Sequence, residues 1–396
     1  MATTGLKEIY NQMNFRYVVV GGGTAGWLTA LFVKKHLPYA EVTVVASSEI
    51  GILGAGEGTT PPFMSFLDAI DIDPKQIFVH CKGTRKRGIK FTNWNGDEKH
   101  YYHFFEDIKP QGDSALHFDA NLLAKFLQDV GISRSINLID DKVVDADQDT
   151  QGYITSINLE KHGKLECDFV FDCTGFRRFF VGNIYNSDWC SYNHMLPVNR
   201  AIPFFLDNTH EDQLPEYTES IALKYGWMWK IPVQGRYGCG YVFDSSKTTD
   251  AEAKSEIEKY LGHEIHSPRT FSFSAGSFDR TWIKNCIAIG LSSGFAEPLE
   301  ATSIWVQTAS LLTLLDKISG TTMRNQESID SYNHIVKNMN DKIVDFLYAH
   351  YLTHRDDSEF WANFRHNTKP ESMMREFIEI TKTREITMND IDNIYT

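Results

Sequence analysis

Long apolar runs are missing from this sequence. None reaches the roughly twenty residues that a membrane-spanning helix needs, and Met1 to Asn14 lacks the apolar centre of a signal peptide. Positive charge is also short. Lys and Arg number 39 against 52 Asp and Glu, a net charge of −13, which argues against general affinity for nucleic acid or an anionic membrane. The one basic cluster is Lys82-Gly83-Thr84-Arg85-Lys86-Arg87. Cysteine is sparse, and the six (Cys81, Cys167, Cys173, Cys190, Cys239, Cys286) form neither C-x-x-C pairs nor zinc spacing. That pattern points to a reduced setting and no structural metal. Internal repeats and low-complexity segments are lacking too. These absences together predict a soluble, cytoplasmic protein with no nucleic-acid or membrane partner, and leave a homo-oligomer open. What is present is core-forming material: 396 residues, 42% hydrophobic and 13% aromatic, suit about two to three structural units with aromatic surface left for a pocket.

The chain is organised around FRYVVVGGGTAG, residues 15–26. Tyr17-Val18-Val19-Val20 reads as a buried central strand. Gly21, Gly23 and Gly26 follow in G-x-G-x-x-G spacing, and a helix-compatible stretch, 27–35, comes next. In a dinucleotide fold the first glycine makes the tight turn, the second lets backbone approach a pyrophosphate, and the third lets helix and strand pack closely. The helix start then offers N–H groups and a positive dipole end to phosphate. Residues 41–45 read as the second parallel strand of a βαβ unit. Where an acid for the ribose hydroxyls usually stands, the sequence has Ala46-Ser47-Ser48, with Glu49 slightly late, which tells against a standard NAD site.

Residues 51–62 carry four glycines in eight positions and read as a ligand-facing strap in preference to a plain linker. A helix is expected over 63–69, a hairpin from strands 88–94 and 99–105 around Asn95-Gly96, and an amphipathic helix over 119–130. A small β-meander follows (142–146, 153–159), then a strand and turn ending in Asp172-Cys173-Thr174-Gly175 that return to the first sheet. Residues 181–280 fit an antiparallel sheet. A buried strand at 286–290, a helix over 301–316 and a helical tail from 329, capped at Ser328, complete the pattern. The fold class expected is α/β: a Rossmann-like domain of residues 1–180 plus 281–325, an inserted antiparallel sheet of 181–280 and a helical C-terminal segment of 326–396.

Three groups of residues could carry chemistry. Lys86 enters a buried strand; a solvated lysine on a charged turn is the plainer alternative, but an inward amine would lose solvation and gain nucleophilicity at neutral pH. Glu297 and Glu300 bracket Pro298-Leu299 ahead of a helix whose first residues, Ala301, Thr302 and Ser303, present N–H groups suited to a small anion. Trp227 and Trp229 share one face of a strand at period two, either as core or as a wall between a cofactor and a second pocket.

The ordered set GGGTAGW, GAGEGTTPP, GTRKRGIKFTNW, DCTGF, WMWKIP and GFAEPLEATSI resembles the flavin-dependent halogenases of the tryptophan type. The resemblance runs over nearly the whole chain, into His350-Tyr351 and the segment His354 to Trp361. It implies that the G-x-G-x-x-G domain binds FAD, with Gly21, Gly23, Thr24, Ala25 and Gly26 at the pyrophosphate. Ser47, Ile50 and Gly58 would fall on the strap, Val143 near the adenine, and Leu291 and Ile304 near the isoalloxazine. It makes Lys86 and Glu300 the catalytic pair, Thr302 and Ser303 the halide-binding pair, and Trp227 and Trp229 the barrier. Ser303 departs from the glycine usual there. The implied reaction uses FAD reduced by a separate flavin reductase: with O2 and halide (chloride, bromide or iodide) it yields hypohalous acid, which passes to Lys86 for electrophilic halogenation of an aromatic substrate. An FAD-dependent aromatic monooxygenase on the same fold is the alternative. The chain is shorter than the tryptophan halogenases, so the resemblance implies an arene of indole or phenol type other than free tryptophan.

Overall fold

The protein was analysed as a computed structural model that describes residues 15–51, 57–105, 114–208, 214–315, 317 and 325–366. Its organising element is a six-stranded sheet. Strand Arg16–Val20 is β-branched and buried on both faces, which suits the centre of a parallel sheet. It pairs in parallel with Glu41–Ala46 on one side and Phe169–Asp172 on the other. The chain first builds outward through Glu41–Ala46 to Asn137–Asp140. It then returns to the opposite side with Phe169–Asp172, Cys286–Ala288 and the short antiparallel Trp282–Ile283. The order therefore reverses between Arg16–Val20 and Phe169–Asp172, the crevice where doubly wound sheets bind ligands. Helix Thr24–His36 covers the sheet with Trp27, Leu28, Leu31 and Phe32 fully buried. Its last turn, Lys34-Lys35-His36, complements the helix dipole.

A seven-stranded sheet forms the second layer, in the order Phe271–Ser272, Arg200–Asp207, Arg236–Phe243, Gly226–Val233, Thr218–Leu223, Gly88–Thr92 and His100–Phe104. The hairpin from Gly88 to Phe104 lies far from its partners in sequence, yet it docks on Thr218–Leu223 in parallel register, with Phe91 opposite Ser220. Antiparallel pairing holds along the rest of this sheet, so the strands within 181–280 pair as the sequence suggests and the parallel joint is made only by the added hairpin. A three-stranded sheet, Glu57–Gly58, Ala115–Phe118 and Thr84–Lys86, sits between the two layers in the chain's path. Its middle strand is buried throughout.

Helix Gln326–Tyr351 is capped by Asn325, whose side chain accepts from the Glu327 and Ser328 N–H groups. The cap thus lies three residues before the serine suggested by the sequence. A helix not foreseen, Asp250–Leu261, packs Ala253 and Ile257 on the second sheet. The segment after Tyr351 is stitched back onto that sheet: Arg355 donates to the Asn93 carbonyl (3.0 Å), Ser358 to the Lys224 carbonyl (2.6 Å) and Trp361 to the Leu223 carbonyl (2.8 Å). Residues 52–56 of the strap, Asp316 and the expected helical tail from 367 onward lie outside the described residues. Among the described residues, no helix is long and apolar enough to cross a membrane.

Candidate active site

The glycine turn is built as its spacing requires. Gly21 has φ +129°, and a Cβ there would stand 2.1 Å from the Cys173 carbonyl oxygen. A Cβ on Gly26 would stand 1.8 Å from the Gly21 carbonyl oxygen, so strand and helix meet only because both residues lack one. Gly23 is different: nothing lies within 4 Å of its Cβ position. It caps the helix without any side-chain hydrogen bond, and the neighbouring Thr24 hydroxyl is buried with no partner among the described residues. An open backbone, an uncapped helix start and an orphaned hydroxyl fit a pyrophosphate group. Ala25 abuts Gly290, where a Cβ would meet the Ala25 methyl at 2.9 Å. Leu291 is thereby held in the turn Gly290–Ser292 close to the helix start.

The strap links this cradle to Lys86. At its near end Ser47 and Ile50 close a turn, with the Ile50 N–H donating to the Ser47 carbonyl and Ile50 exposed. Glu49 is not free for a ribose, because Lys142 and Lys161 both hold its carboxylate. Val143 buries its side chain in the apolar cluster under the meander. At the far end Gly58 pairs with His117, and Thr59 exchanges three hydrogen bonds with Leu116. Gly58 therefore stands beside the lysine: a Cβ on it would lie 3.3 Å from Lys86 Nζ.

Lys86 points inward and is fully buried. Its ammonium donates to the Thr59 carbonyl (2.9 Å) and lies 5.3 Å from the centre of the Phe105 ring. Burial pulls its pKa down to about 8, against the opposing pull of the Glu300 charge. The neighbouring His117 is neutral. Thr84 Oγ1 donates to the Pro232 carbonyl (2.7 Å) and so accepts from His117 Nδ1 (3.1 Å), while burial and the Lys86 charge hold that imidazole well below its ordinary pKa. The same Thr84 bond ties the lysine's strand to the tryptophan strand Gly226–Val233.

Glu300 faces this lysine from a strained turn. Glu300 (φ 62°) and Ala301 (φ 56°) are both left-handed, the second forming the uncapped start of helix Thr302–Leu312. Two such residues in succession each cost about 1–2 kcal/mol and fix the direction of the carboxylate. Ala301→Gly should therefore raise unfolding free energy by about 1 kcal/mol in a denaturant titration; a fall would show that the turn is unstrained. The Glu300 carboxylate is 5% exposed and takes contacts at Oε1 from His103 Nδ1 (2.9 Å) and His350 Nε2 (3.1 Å). Burial alone would raise its pKa, but those two contacts outweigh it and hold the group well below the usual carboxylate range.

Glu297 behaves oppositely. It is fully buried, and desolvation pushes its pKa up to about 8 despite the Tyr351 hydroxyl, which lies 2.8 and 3.0 Å from its two oxygens. Trp227 Nε1 in turn donates to Tyr351 Oη (3.0 Å), so the acid anchors the indole. The folded state holds this proton up to about pH 8, whereas the unfolded chain releases it near the ordinary value. Stability contributed here is complete below the unfolded pKa and falls as pH rises towards 8. Glu297→Gln should accordingly leave the melting temperature nearly unchanged at acid pH and raise it relative to the parent at pH above 8. Equal shifts at both pH values would show that the group is not protonated in the native state.

Trp227 and Trp229 lie on one face of their strand, rings 6.3 Å apart and inclined by 63°. A Cβ on Gly240 would collide with the Trp229 ring at 2.1 Å, so that glycine lets the indole lie flat across the neighbouring strand. Both indoles share an apolar cluster with Phe91, Trp94 and Val306. Val306 also lines a small recess formed by Gly290, Gly294, Phe295, Thr302 and Ser303. Thr302 and Ser303 thus meet at the helix start, while the Ile304 side chain is buried in the core of the first layer.

Local spacing was a poor guide to the histidines. His103, His117 and Phe105 received no role from the sequence, and His350 and Tyr351 only a place in a motif. His103 is 197 residues from Glu300, and His350 is 50.

The tryptophan halogenase family pattern matches residues 16–114 and 107–396. A tryptophan 7-halogenase of Kutzneria sp. (strain 744) is 31% identical over 87% of this chain and 77% of its own length. A 7-chloro-L-tryptophan 6-halogenase of the same organism is 30% identical over 96% and 86%. Among solved structures, a tryptophan 6-halogenase from Streptomyces toxytricini superposes with a TM-score of 0.88 at 27% identity, covering 92% of this chain and 84% of that one. A flavin-dependent halogenase from Xanthomonas campestris does so with 0.88 at 27%, covering 96% and 88%. A glycine cradle open at Gly23, a buried lysine and a buried glutamate thus lie in a chain matched almost end to end, and this chain belongs to the tryptophan halogenase family of flavin-dependent enzymes.

Proposed function

We propose that this FAD-dependent halogenase acts on an electron-rich arene of indole or phenol type, with Lys86 carrying the oxidised halogen and Glu300 assisting its transfer. The observation that carries the reading is the seat of Lys86: a fully buried amine at the end of the strap, against the Phe105 ring and within reach of the Glu300 charge.

FAD would be held at Gly21, Gly23, Thr24, Ala25 and Gly26, with Ser47, Ile50, Val143, Leu291 and Ile304 contributing around it; once reduced by a separate flavin reductase, it supplies hypohalous acid from O2 and halide. Thr302 and Ser303 hold the halide through backbone N–H groups at the uncapped helix start, and the Ser303 side chain narrows the recess beside them. Trp227 and Trp229, the former anchored through Tyr351 to Glu297, keep the arene apart from the cofactor. Lys86 receives the oxidant by hydrogen bond or as a haloamine. Glu300 polarises it and stabilises the cation that develops in the ring. The division of the chain that fits this reading places the cofactor in 1–180 plus 281–325 and the substrate against 181–280, followed by a C-terminal helical segment of 326–396.

The test is to incubate the protein with a flavin reductase, FAD, O2 and chloride, bromide or iodide against an arene panel and to read products by mass. Free hypohalous acid halogenates arenes unaided, so the parallel reaction uses Lys86→Ala. A single regioisomer from the parent and none above background from the variant is the expected result. Identical product mixtures from both overturn the reading, and a hydroxylated arene would favour a monooxygenase.

A further inference from the structure

We propose that His103, His350 and Glu300 form a binding site for a first-row divalent cation of the Zn2+ class, and that occupation of this site switches halogenation off. The inhibitory half rests on the role given to Glu300 above; the binding half does not.

The three side chains come from a hairpin strand, a strained turn and the last turn of a long helix, and their ligating atoms all lie within 4.8 Å of one another. Both imidazoles converge on one oxygen, Glu300 Oε1. The second contact of His350 fixes which of its nitrogens faces Glu300. Its Nδ1 lies 2.9 Å from the Phe346 carbonyl oxygen, one turn earlier, and a carbonyl can only accept. Nδ1 therefore carries the proton of the neutral ring, and Nε2 presents its lone pair to Glu300 Oε1 at 3.1 Å. A carboxylate is likewise an acceptor. Two acceptors at that distance require a positive species between them, either a second proton on the pair or a metal ion. An imidazole with one nitrogen tied to a backbone carbonyl and the other facing a carboxylate also has the outer-shell arrangement of a metal ligand.

Two imidazole nitrogens and one carboxylate oxygen are a donor set that zinc takes when it keeps a position open to water, and they disfavour Mg2+ and Ca2+, which prefer oxygen alone. The His103 side chain is 42% exposed and gives the ion a way in, while Glu300 is held from within by its left-handed backbone. In the exchange, the cation takes one lone pair from each imidazole and one carboxylate oxygen; the proton between His350 Nε2 and Glu300 and the proton on His103 Nδ1 both leave to solvent, His103 keeping its remaining proton on Nε2. Glu300 is then fully committed to the metal and no longer faces developing charge in a substrate.

The experiment uses the purified full chain, stripped with EDTA and desalted. Calorimetric titration with ZnCl2 should show one Zn2+ per chain that MgCl2 does not mimic. His350→Ala and His103→Ala should each weaken that binding by about tenfold or more. His103 stands on an exposed hairpin, so His103→Ala keeps a well-folded comparator if His350→Ala melts early. In the coupled assay, stoichiometric Zn2+ should abolish product formation and EDTA should restore it, with the reductase assayed separately under the same zinc. Absence of zinc binding by the parent, or full retention by both variants, overturns the site. Binding of zinc by a protein that halogenates no arene leaves the site standing and brings down the functional reading instead.

Discussion

Lys86→Ala is expected to cut halogenated product by on the order of 10²- to 10⁴-fold while oxidation of reduced flavin continues. The lysine does not touch the glycine cradle. It sits at the far end of the strap, bonded to the Thr59 carbonyl and facing Phe105. Its loss should therefore uncouple the two halves of the reaction, with oxidant escaping to solvent where a trapping dye can register it. Wild-type yield from Lys86→Ala with unchanged regiochemistry would remove the amine from the mechanism. The pH profile then separates the two ways of carrying the halogen. With the pKa pulled down to about 8, a route through the neutral amine should rise about tenfold per pH unit below 8 and level off above it. A route through an ammonium hydrogen bond should instead be flat below 8 and fall above. The same profile measured in Lys86→Arg, which stays charged, should be flat on both sides of pH 8 if the ammonium route operates.

What the sequence made legible was what is local. Strand, glycine turn and helix from Arg16 to His36 follow one another within a single βαβ unit, so the spacing of Gly21, Gly23 and Gly26 specified the cradle directly. The inward aim of Lys86 was one of two open readings, and only the pairing of Thr84–Lys86 with Ala115–Phe118 decides it. Helix Asp250–Leu261 had local signals, a Thr249–Glu252 capping box and Gly262 at φ +77°, but they lay inside a stretch rich in alternating aromatics and were overridden by it. The hairpin's parallel docking on Thr218–Leu223 left no trace in either strand alone, because parallel pairing carries no turn signature. The convergence of His103 and His350 on Glu300 was likewise not readable from the sequence. Metal spacing is a local pattern, and this cluster is assembled by tertiary packing of three distant elements.

Glu300→Gln carries the second large effect, a loss of on the order of 10²- to 10³-fold in product formation with little change in the arene's KM. Glutamine keeps the size of the side chain and offers both an acceptor and a donor to the histidines, so neither the left-handed turn nor the recess at Thr302 and Ser303 need move. What disappears is the negative charge. A charge that faces cationic character only as the carbon–halogen bond forms acts on the transition state and not on the bound arene, which is why kcat and not KM should respond. Glu300→Asp should recover little, because the carboxylate would retreat from His103 and His350 by one methylene. A structural role would read differently: the variant would melt early and KM would climb with kcat. If Glu300→Gln instead turned over at the parent rate, the carboxylate would be a packing residue, and the strain stored at φ 62° would have no chemical purpose. With Lys86→Ala and Glu300→Gln combined, losses that fail to add would show that the amine and the carboxylate act on one transferred halogen, whereas additive losses would place them in separate steps.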